Sequence, residues 1–70
     1  MYFFTQILFD GNGNVVGKGT TDYTTADAAE QAFHTAIASA ISKEETGKVI
    51  AIVFDSDGVV KHRRVWERKS

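Results

Sequence analysis

Four stretches of the chain are rich in aromatic and β-branched residues, and this pattern predicts β-strands. The stretches are residues 1–9, 15–23, 49–54 and 59–68, and turn-forming residues separate the members of each pair. Their lengths and compositions are typical of strands in globular proteins. The pattern therefore predicts two strands on each side of a central segment.

The two predicted strand pairs are joined by turns that share one sequence pattern. Residues 9–13 and 54–58 both read Phe-Asp-x-(Asn/Asp)-Gly. In such a turn the Asp side chain accepts hydrogen bonds from the backbone, and the Gly adopts the left-handed conformation of a bulge after a type I turn. Two similar β-hairpins are therefore predicted.

The central segment carries apolar residues at spacings of three and four, which predicts an amphipathic α-helix. Thr24 is the predicted N-cap, Asp27 is favourably placed near the positive end of the helix dipole, and Gly47 is the predicted end. The predicted buried stripe consists of Ala29, Phe33, Ala36, Ile37, Ala40 and Ile41.

The composition of the strands predicts their order in a sheet. The first and third strands are the most continuously apolar, whereas the second and fourth carry glycine, threonine, lysine and arginine. Apolar strands belong at the centre of a sheet, because exposed edges are protected by charge. We therefore predict a single α+β domain over residues 1–70 with ββαββ order. It contains a four-stranded antiparallel sheet in the order 2-1-3-4, with one helix packed on one face.

An unbroken register in both hairpins divides the strand residues between two faces. The face expected to lie under the helix presents Phe3, Ile7, Phe9, Val15, Ile50, Ile52, Phe54 and Val60, with Arg64 and Trp66 towards the edge. The other face mixes apolar with polar residues, and presents Tyr2, Phe4, Gln6, Leu8, Val16, Lys18, Val49, Ala51, Val53, Lys61, Arg63 and Val65.

The mixed face is predicted to remain uncovered, because one helix covers only one side of a sheet. Large apolar side chains left exposed on a surface usually mark an interface. A homodimer, or a tetramer built from it, is expected to cover this face. The predicted oligomer contacts are Tyr2, Phe4, Leu8, Val16 and Val53.

Length and cysteine content also favour self-association. A chain of 70 residues buries a small core, and domains of this size usually gain stability from disulfides, a metal ion or a partner subunit. There is no cysteine, and the two histidines, His34 and His62, lie far apart in the sequence. We therefore predict no metal site and no cofactor. The apolar runs are of strand length, so no membrane partner is expected and a cytoplasmic location is predicted.

Charge is distributed unevenly along the chain. Residues 1–60 hold three lysines and eight acids, a net charge of −5, whereas residues 61–70 hold five bases and one acid, a net charge of +4. Basic residues interleaved with an aromatic can bind phosphates and stack on a base. They can equally protect an edge strand from aggregation. The candidate binding residues are Lys61, Arg63, Arg64, Trp66, Arg68 and Lys69.

The remaining motifs do not indicate catalysis. The glycine-rich segment 11–19 has the wrong spacing for a phosphate-binding loop, and no helix follows it. Asp10-x-Asn12-x-Asn14 resembles the start of a calcium loop, but Val15 and Thr21 occupy positions that need Gly and Glu. We predict that the chain is not an enzyme, because the sequence contains no recognisable set of nucleophile, base and orienting residue.

The function predicted from the sequence is therefore a non-enzymatic, homo-oligomeric binding module, either an adaptor or an inhibitor. In size and economy the chain resembles accessory proteins of phages and mobile elements. The module would use its exposed sheet face or its basic C-terminal strand to contact a protein. The alternative is binding or sequestration of nucleic acid, a nucleotide or another small anionic ligand through the basic strand 61–69.

Overall fold

A computed structural model describes residues 1–69, and Ser70, the last residue of the predicted domain, lies outside the described residues. The elements follow the order β1 (Tyr2–Asp10), β2 (Val15–Tyr23), α1 (Ala26–Ser42), β3 (Thr46–Asp55) and β4 (Val60–Glu67). The strands form one antiparallel sheet in the order β2-β1-β3-β4, and α1 packs on one face. The predicted fold class and strand order are confirmed.

Both hairpins close as their shared sequence pattern predicts. Asp10 accepts hydrogen bonds from the backbone N–H groups of Asn12 and Asn14, at 2.9 and 3.0 Å. Asp55 accepts the equivalent bonds from Asp57 and Val59, at 3.0 and 2.9 Å. The glycines at the bulge positions are Gly13, with φ of 85°, and Gly58, with φ of 83°. Only glycine adopts this left-handed conformation without a steric cost.

The ends of α1 differ from the prediction by a few residues. Thr25, not Thr24, is the N-cap, and its side chain accepts a hydrogen bond from the Ala28 N–H at 3.2 Å. The helix ends at Ser42 with Lys43 as C-cap, and Gly47 lies inside β3. The extended backbone at Thr25 places its hydroxyl over the first turn of the helix. The sequence alone does not distinguish Thr24 from Thr25 as the N-cap, because both residues carry the hydroxyl that this position needs.

The helix covers the face that was predicted to be uncovered. Phe4, Ala51 and Val53 lie in the core with Phe33 and Ile37 of α1. The assignment of Phe4 and Val53 to an oligomer interface is therefore wrong, since these residues are only 5% and 1% exposed.

Two of the other predicted interface residues also lie on the helix side. Tyr2 packs against the core, and Leu8 lines a small cleft of ≈ 140 Å³ beneath Ala36 and Ala40. Val16 is 61% exposed at an irregularity where β2 leaves the first hairpin. The helix lies on this face of the sheet because small residues on the sheet and on α1 allow the two to approach closely.

Two bulges explain why residues of the outer strands share a face with other central-strand residues than predicted, although Arg64 and Trp66 do lie on the helix side as expected. The register skips Val16 in β2 and Lys61 in β4, because Leu8 pairs with Gly17 and Val53 pairs with His62. A bulge adds one residue to a strand, and a shift of one residue moves every later side chain to the opposite face. Arg64 and Trp66 therefore share the helix-side face with Ala51 and Val49, while Arg63 and Val65 lie on the other face.

Candidate binding surfaces

The side of the sheet opposite α1, here called the open face, has an apolar centre. Its residues alternate along β1 and β3 with the core residues, so they point away from the helix. Those on the central strands are half-buried. Val65 on β4 is 45% exposed. The apolar centre consists of Phe3, Ile7, Phe9, Ile50, Ile52, Phe54 and Val65.

Neighbouring side chains on the open face shield one another. The rings of Phe3 and Phe54 stack with centroids 5.4 Å apart and an interplanar angle of 25°. The Lys48 ammonium lies 5.3 Å from the centroid of the Phe9 ring, an arrangement that favours a cation–π interaction. The two contacts lie at opposite ends of the apolar centre, and an exposed apolar surface of this kind suits contact with another macromolecule.

The two edges of the open face carry charges of both signs. Lys18 and Asp22 lie on β2, opposite Ile7 and Phe3 in the register. On β4, Arg63 and Glu67 lie opposite Ile52 and Lys48. All four charged residues are exposed, and among residues 1–69 none of them forms a salt bridge. The rim, defined here as these four residues, is therefore available for charged contacts.

The structure does not bring the six predicted residues of the basic strand into one patch. Lys61 lies 3.6 Å from the Asp55 carboxylate, so its charge is engaged within its own hairpin. Arg63 lies on the open face, whereas Arg64 and Trp66 lie on the helix side. Lys69 follows β4 and is exposed. Alternation along the strand thus divides the basic residues between two surfaces.

Arg68 is a structural residue that closes the end of α1. Its guanidinium donates to the carbonyl oxygens of Ile41 and Lys43, both at 2.9 Å, and to that of Thr46 at 3.0 Å. The last turn of α1 contains no basic residue, so Arg68 supplies the positive charge that favours the negative end of the helix. Its guanidinium also lies 4.9 Å from the Trp66 ring centroid. These contacts occupy much of the Arg68 side chain.

The two histidines meet, although they lie far apart in the sequence. Glu30 Oε1 is 3.6 Å from His34 Nε2 and 3.5 Å from His62 Nε2. The two imidazole rings are 6.3 Å apart, and His62 also lies 5.6 Å from the Phe33 ring. This cluster ties β4 to the exposed side of α1. Among the described residues, no group of three His, Cys, Asp or Glu side chains is arranged to hold a metal ion.

The hairpin carboxylates are held in their ionised form. The N–H of Asn14, followed by that of Asn12, lowers the pKa of Asp10. The pKa of Asp55 is lowered by hydrogen bonds from the N–H groups of Val59 and Asp57 and by the nearby Lys61 charge. Hydrogen bonds to a carboxylate favour its charged form. Both carboxylates therefore stabilise the hairpin turns through these hydrogen bonds.

A polar cleft of ≈ 500 Å³ lies at the end of the sheet near the first hairpin. Its walls carry acids and bases together, including Asp10, Glu44, Lys48, Glu67 and Arg68. Asp10 and Arg68 are already bound to backbone groups, as described above. The cleft therefore presents no single charge that would select a ligand.

Sequence reasoning missed two features of these surfaces. The Glu30–His34 spacing of four residues signals neighbours on one helix face, but nothing local indicates that His62 joins them. The capping contacts of Arg68 depend on tertiary contacts. The sequence pattern did identify the apolar residues that β1 and β3 present on the open face, but assigned them to the helix side. Val65 was predicted on the uncovered face and lies there, although the β3 residue opposite it was predicted on the face under the helix.

Comparisons with known proteins identify no relative of this chain. No protein family, curated protein or solved structure matches the chain. Within residues 1–69, no helix has both the length and the apolar character needed to cross a membrane, and α1 has only 17 residues.

Proposed function

We propose that the chain is a non-enzymatic, homo-oligomeric binding module, an adaptor or inhibitor that acts in the cytoplasm. The observation that carries this proposal is the open face, whose apolar centre of aromatic and branched side chains is left without a covering element. Apolar patches of this kind on small domains usually mark contact with another macromolecule. The size of the chain suits an accessory protein of a phage or mobile element.

The experiment that tests this proposal is solution mass by light scattering on a sizing column, with absorbance recorded at 260 and 280 nm. The expected result is a multiple of the 7.7 kDa chain mass, with an absorbance ratio typical of protein. A monomer over the whole accessible concentration range would contradict the homo-oligomeric part of the proposal.

The alternative function is binding of nucleic acid, a nucleotide or another small anionic ligand through strand 61–69. The observation that favours it is the exposure of Arg63 and Arg64, which form no salt bridge among residues 1–69. Trp66 is half-buried on the same side of the sheet as Arg64, and an aromatic ring next to a basic residue can stack on a nucleobase. Excess absorbance at 260 nm that co-elutes with the protein on the sizing column would favour this function over the homo-oligomeric module.

A charge-reversal series tests the alternative directly. The double variant Arg63→Glu and Arg64→Glu is expected to abolish binding to a short single-stranded oligonucleotide at low salt, because phosphate contacts dominate such binding. The single variants Arg64→Glu and Lys18→Glu change the net charge equally, but Lys18 lies on β2, at the opposite edge of the sheet from β4. Equal binding by these two single variants would eliminate β4 as the site.

A further inference from the structure

We propose that the open face binds a second copy of this chain, face to face, and that the helix side of β4 stays free for the external partner. This inference rests on the proposed function and assigns different tasks to its two candidate surfaces. The open face makes the oligomer. Arg64, which is exposed, and Trp66, which is half-buried, lie on the opposite side of the sheet and stay accessible to a partner.

The charge pattern of the rim is what selects a second copy as the occupant. The rim holds two bases and two acids, and with Lys48, which lies over the Phe9 ring, the open face carries charges of both signs in nearly equal number. A strongly charged partner, such as a nucleic acid, would favour a rim of one sign. A surface that meets its own copy needs both signs, so that unlike charges can meet across a two-fold axis.

The register places these charges where a second copy can use them. Counting from the first hairpin, the rows across the open face pass through Glu67, then Lys18, then Arg63, then Asp22. The charged residue of successive rows therefore lies on β4, β2, β4 and β2 in turn, and each edge carries one acid and one base. Rows on one face lie about 7 Å apart, which long side chains of lysine, arginine and glutamate can bridge.

Two stacking arrangements bring acids to bases. With a two-fold axis parallel to the strands, β4 of one copy lies over β2 of the other. Lys18 then meets the partner copy's glutamate at position 67, and Asp22 meets its arginine at position 63. With the axis in the sheet plane and perpendicular to the strands, β2 lies over β2, and Lys18 meets the aspartate at position 22. The second arrangement satisfies the pattern on β2 alone, because it places Arg63 over its own copy. Both arrangements bring the apolar centres together.

The size of the face is sufficient for such a dimer. The two larger dimensions of the molecule, 36 and 18 Å between Cα atoms, bound a face of about 600 Å² before side chains are added. Two fully stacked faces would thus bury at most about 1,200 Å² in total, which reaches the lower end of standard-size protein interfaces. Sheets packed in this way lie about 10 Å apart, with their side chains interdigitating.

The first test compares two exposed valines of the second hairpin. Val65 is 45% exposed on the open face, and Val59 is 51% exposed in the turn that precedes β4. Val65→Glu is expected to weaken dimerisation at least about tenfold, because it places an unpaired carboxylate at the apolar centre. Val59→Glu should leave the dimer unchanged. Far-UV circular dichroism verifies that both variants are folded.

The second test combines one charge reversal with a compensating reversal, so that each double variant keeps the net charge of the parent chain. Lys18→Glu alone is expected to weaken the dimer about three- to tenfold, since each pair occurs twice in a two-fold dimer. Adding Glu67→Lys restores it if the axis is parallel to the strands, and adding Asp22→Lys restores it if the axis is perpendicular. If either second substitution restores the dimer, face-to-face binding is supported, and the substitution that does so identifies the direction of the two-fold axis. If neither restores it, the proposed charge pairing across the two-fold axis is wrong.

The outcomes separate failure of this inference from failure of the proposed function. A wild-type chain that is monomeric at all concentrations overturns both the inference and the homo-oligomeric proposal. A wild-type dimer that Val65→Glu leaves intact overturns only the inference, and it moves the contact to a sheet edge. A monomer that instead binds phospholipid vesicles or a short oligonucleotide through Val65 would overturn the second copy as the occupant.

Discussion

The two faces of the sheet are both apolar, but on β3 they differ in the size of their side chains. The helix-side residues of β3 are Val49, Ala51 and Val53, which are 0%, 0% and 1% exposed. Ile50, Ile52 and Phe54 alternate with them on the open face and are larger. The comparison teaches that small side chains on this central strand let the helix backbone approach closely, while β1 presents large side chains to both faces.

The helix carries the matching feature. Ala29 and Ala40 are 0% and 4% exposed, and they line the surface of α1 that meets the sheet. Phe33 and Ile37 fill the space between them, and the ring of Phe33 meets that of Phe4 edge to face at 6.4 Å. Larger side chains on the open face gain more from burial against a flat partner surface. Hydrophobicity alone does not distinguish these two environments.

The largest expected effect comes from the same substitution at two adjacent residues on opposite faces. Phe4→Ala removes a core ring that is 5% exposed, and should lower the free energy of unfolding by about 3–5 kcal/mol. Phe3→Ala removes a half-buried ring of the open face and should lower the free energy of unfolding by less. The size of this loss should also depend on protein concentration if a second copy covers the open face.

Urea unfolding at a low and a high protein concentration measures this difference. For Phe4→Ala the loss should be nearly the same at both concentrations, because the core lies within one chain. Equal losses for the two variants at both concentrations would mean that the open face contributes to the fold as the core does. The distinction between the two faces would then be wrong.

A smaller effect is expected from a test of side-chain size itself. Ala51→Leu inserts a bulky side chain beneath α1 at a position that is 0% exposed, and should cost about 1–3 kcal/mol of folding free energy through overpacking. Ile52→Leu, on the neighbouring residue of the open face, conserves volume and should cost less. Thermal unfolding of the two variants, compared with the parent chain, measures the effect. A neutral Ala51→Leu would show that the helix can move away from the sheet without loss.

Local sequence signals were sufficient for the elements and the strand order. The Asp and Gly residues of each hairpin specify the turn, and the spacing of apolar residues specifies α1, since both depend on neighbours in the chain. The faces were not predictable in this way. Both have apolar residues in alternation, and the bulges at Val16 and Lys61 shift the outer strands by one residue.

Long-range contacts account for the errors at the candidate site. Arg68 was predicted as a binding residue, yet its guanidinium donates to carbonyl groups 22 to 27 residues away in the sequence. Nothing local distinguishes Arg68 from Arg63 or Arg64. The assignment of a basic residue to binding or to capping therefore requires knowledge of where the end of the helix lies in the fold.

A third prediction concerns this difference between neighbouring arginines. Arg68→Ala removes three charge-assisted hydrogen bonds at the end of α1, and should lower the free energy of unfolding by about 1–2 kcal/mol, because the site is partly solvated. Arg64→Ala removes an exposed side chain from the same strand and should be close to neutral. Urea unfolding provides the measurement. A neutral Arg68→Ala would mean that water satisfies these carbonyl groups equally well.

The smallest expected effect concerns acid and the turns that set the register of both faces. Backbone N–H donors lower the pKa of Asp10 and of Asp55 in the folded chain. A carboxyl whose pKa is lower in the folded state stabilises that state above its unfolded pKa, about 3.9 for aspartate. The stabilisation is lost as the pH falls through the folded pKa. Stability should therefore decline below about pH 4, in part because these two groups become protonated.

The variants Asp10→Asn and Asp55→Asn should each be slightly less stable than the parent near neutral pH and should lose less on acidification. The control is Asp57→Asn, an exposed residue of the same turn as Asp55. Urea midpoints between about pH 6 and pH 2 measure the slopes. If all three variants keep the parent's slope, the hairpin carboxylates do not contribute to the acid response. The bulges, which decide the face on which each outer-strand residue lies, would then be held by the glycines and the strand pairing alone.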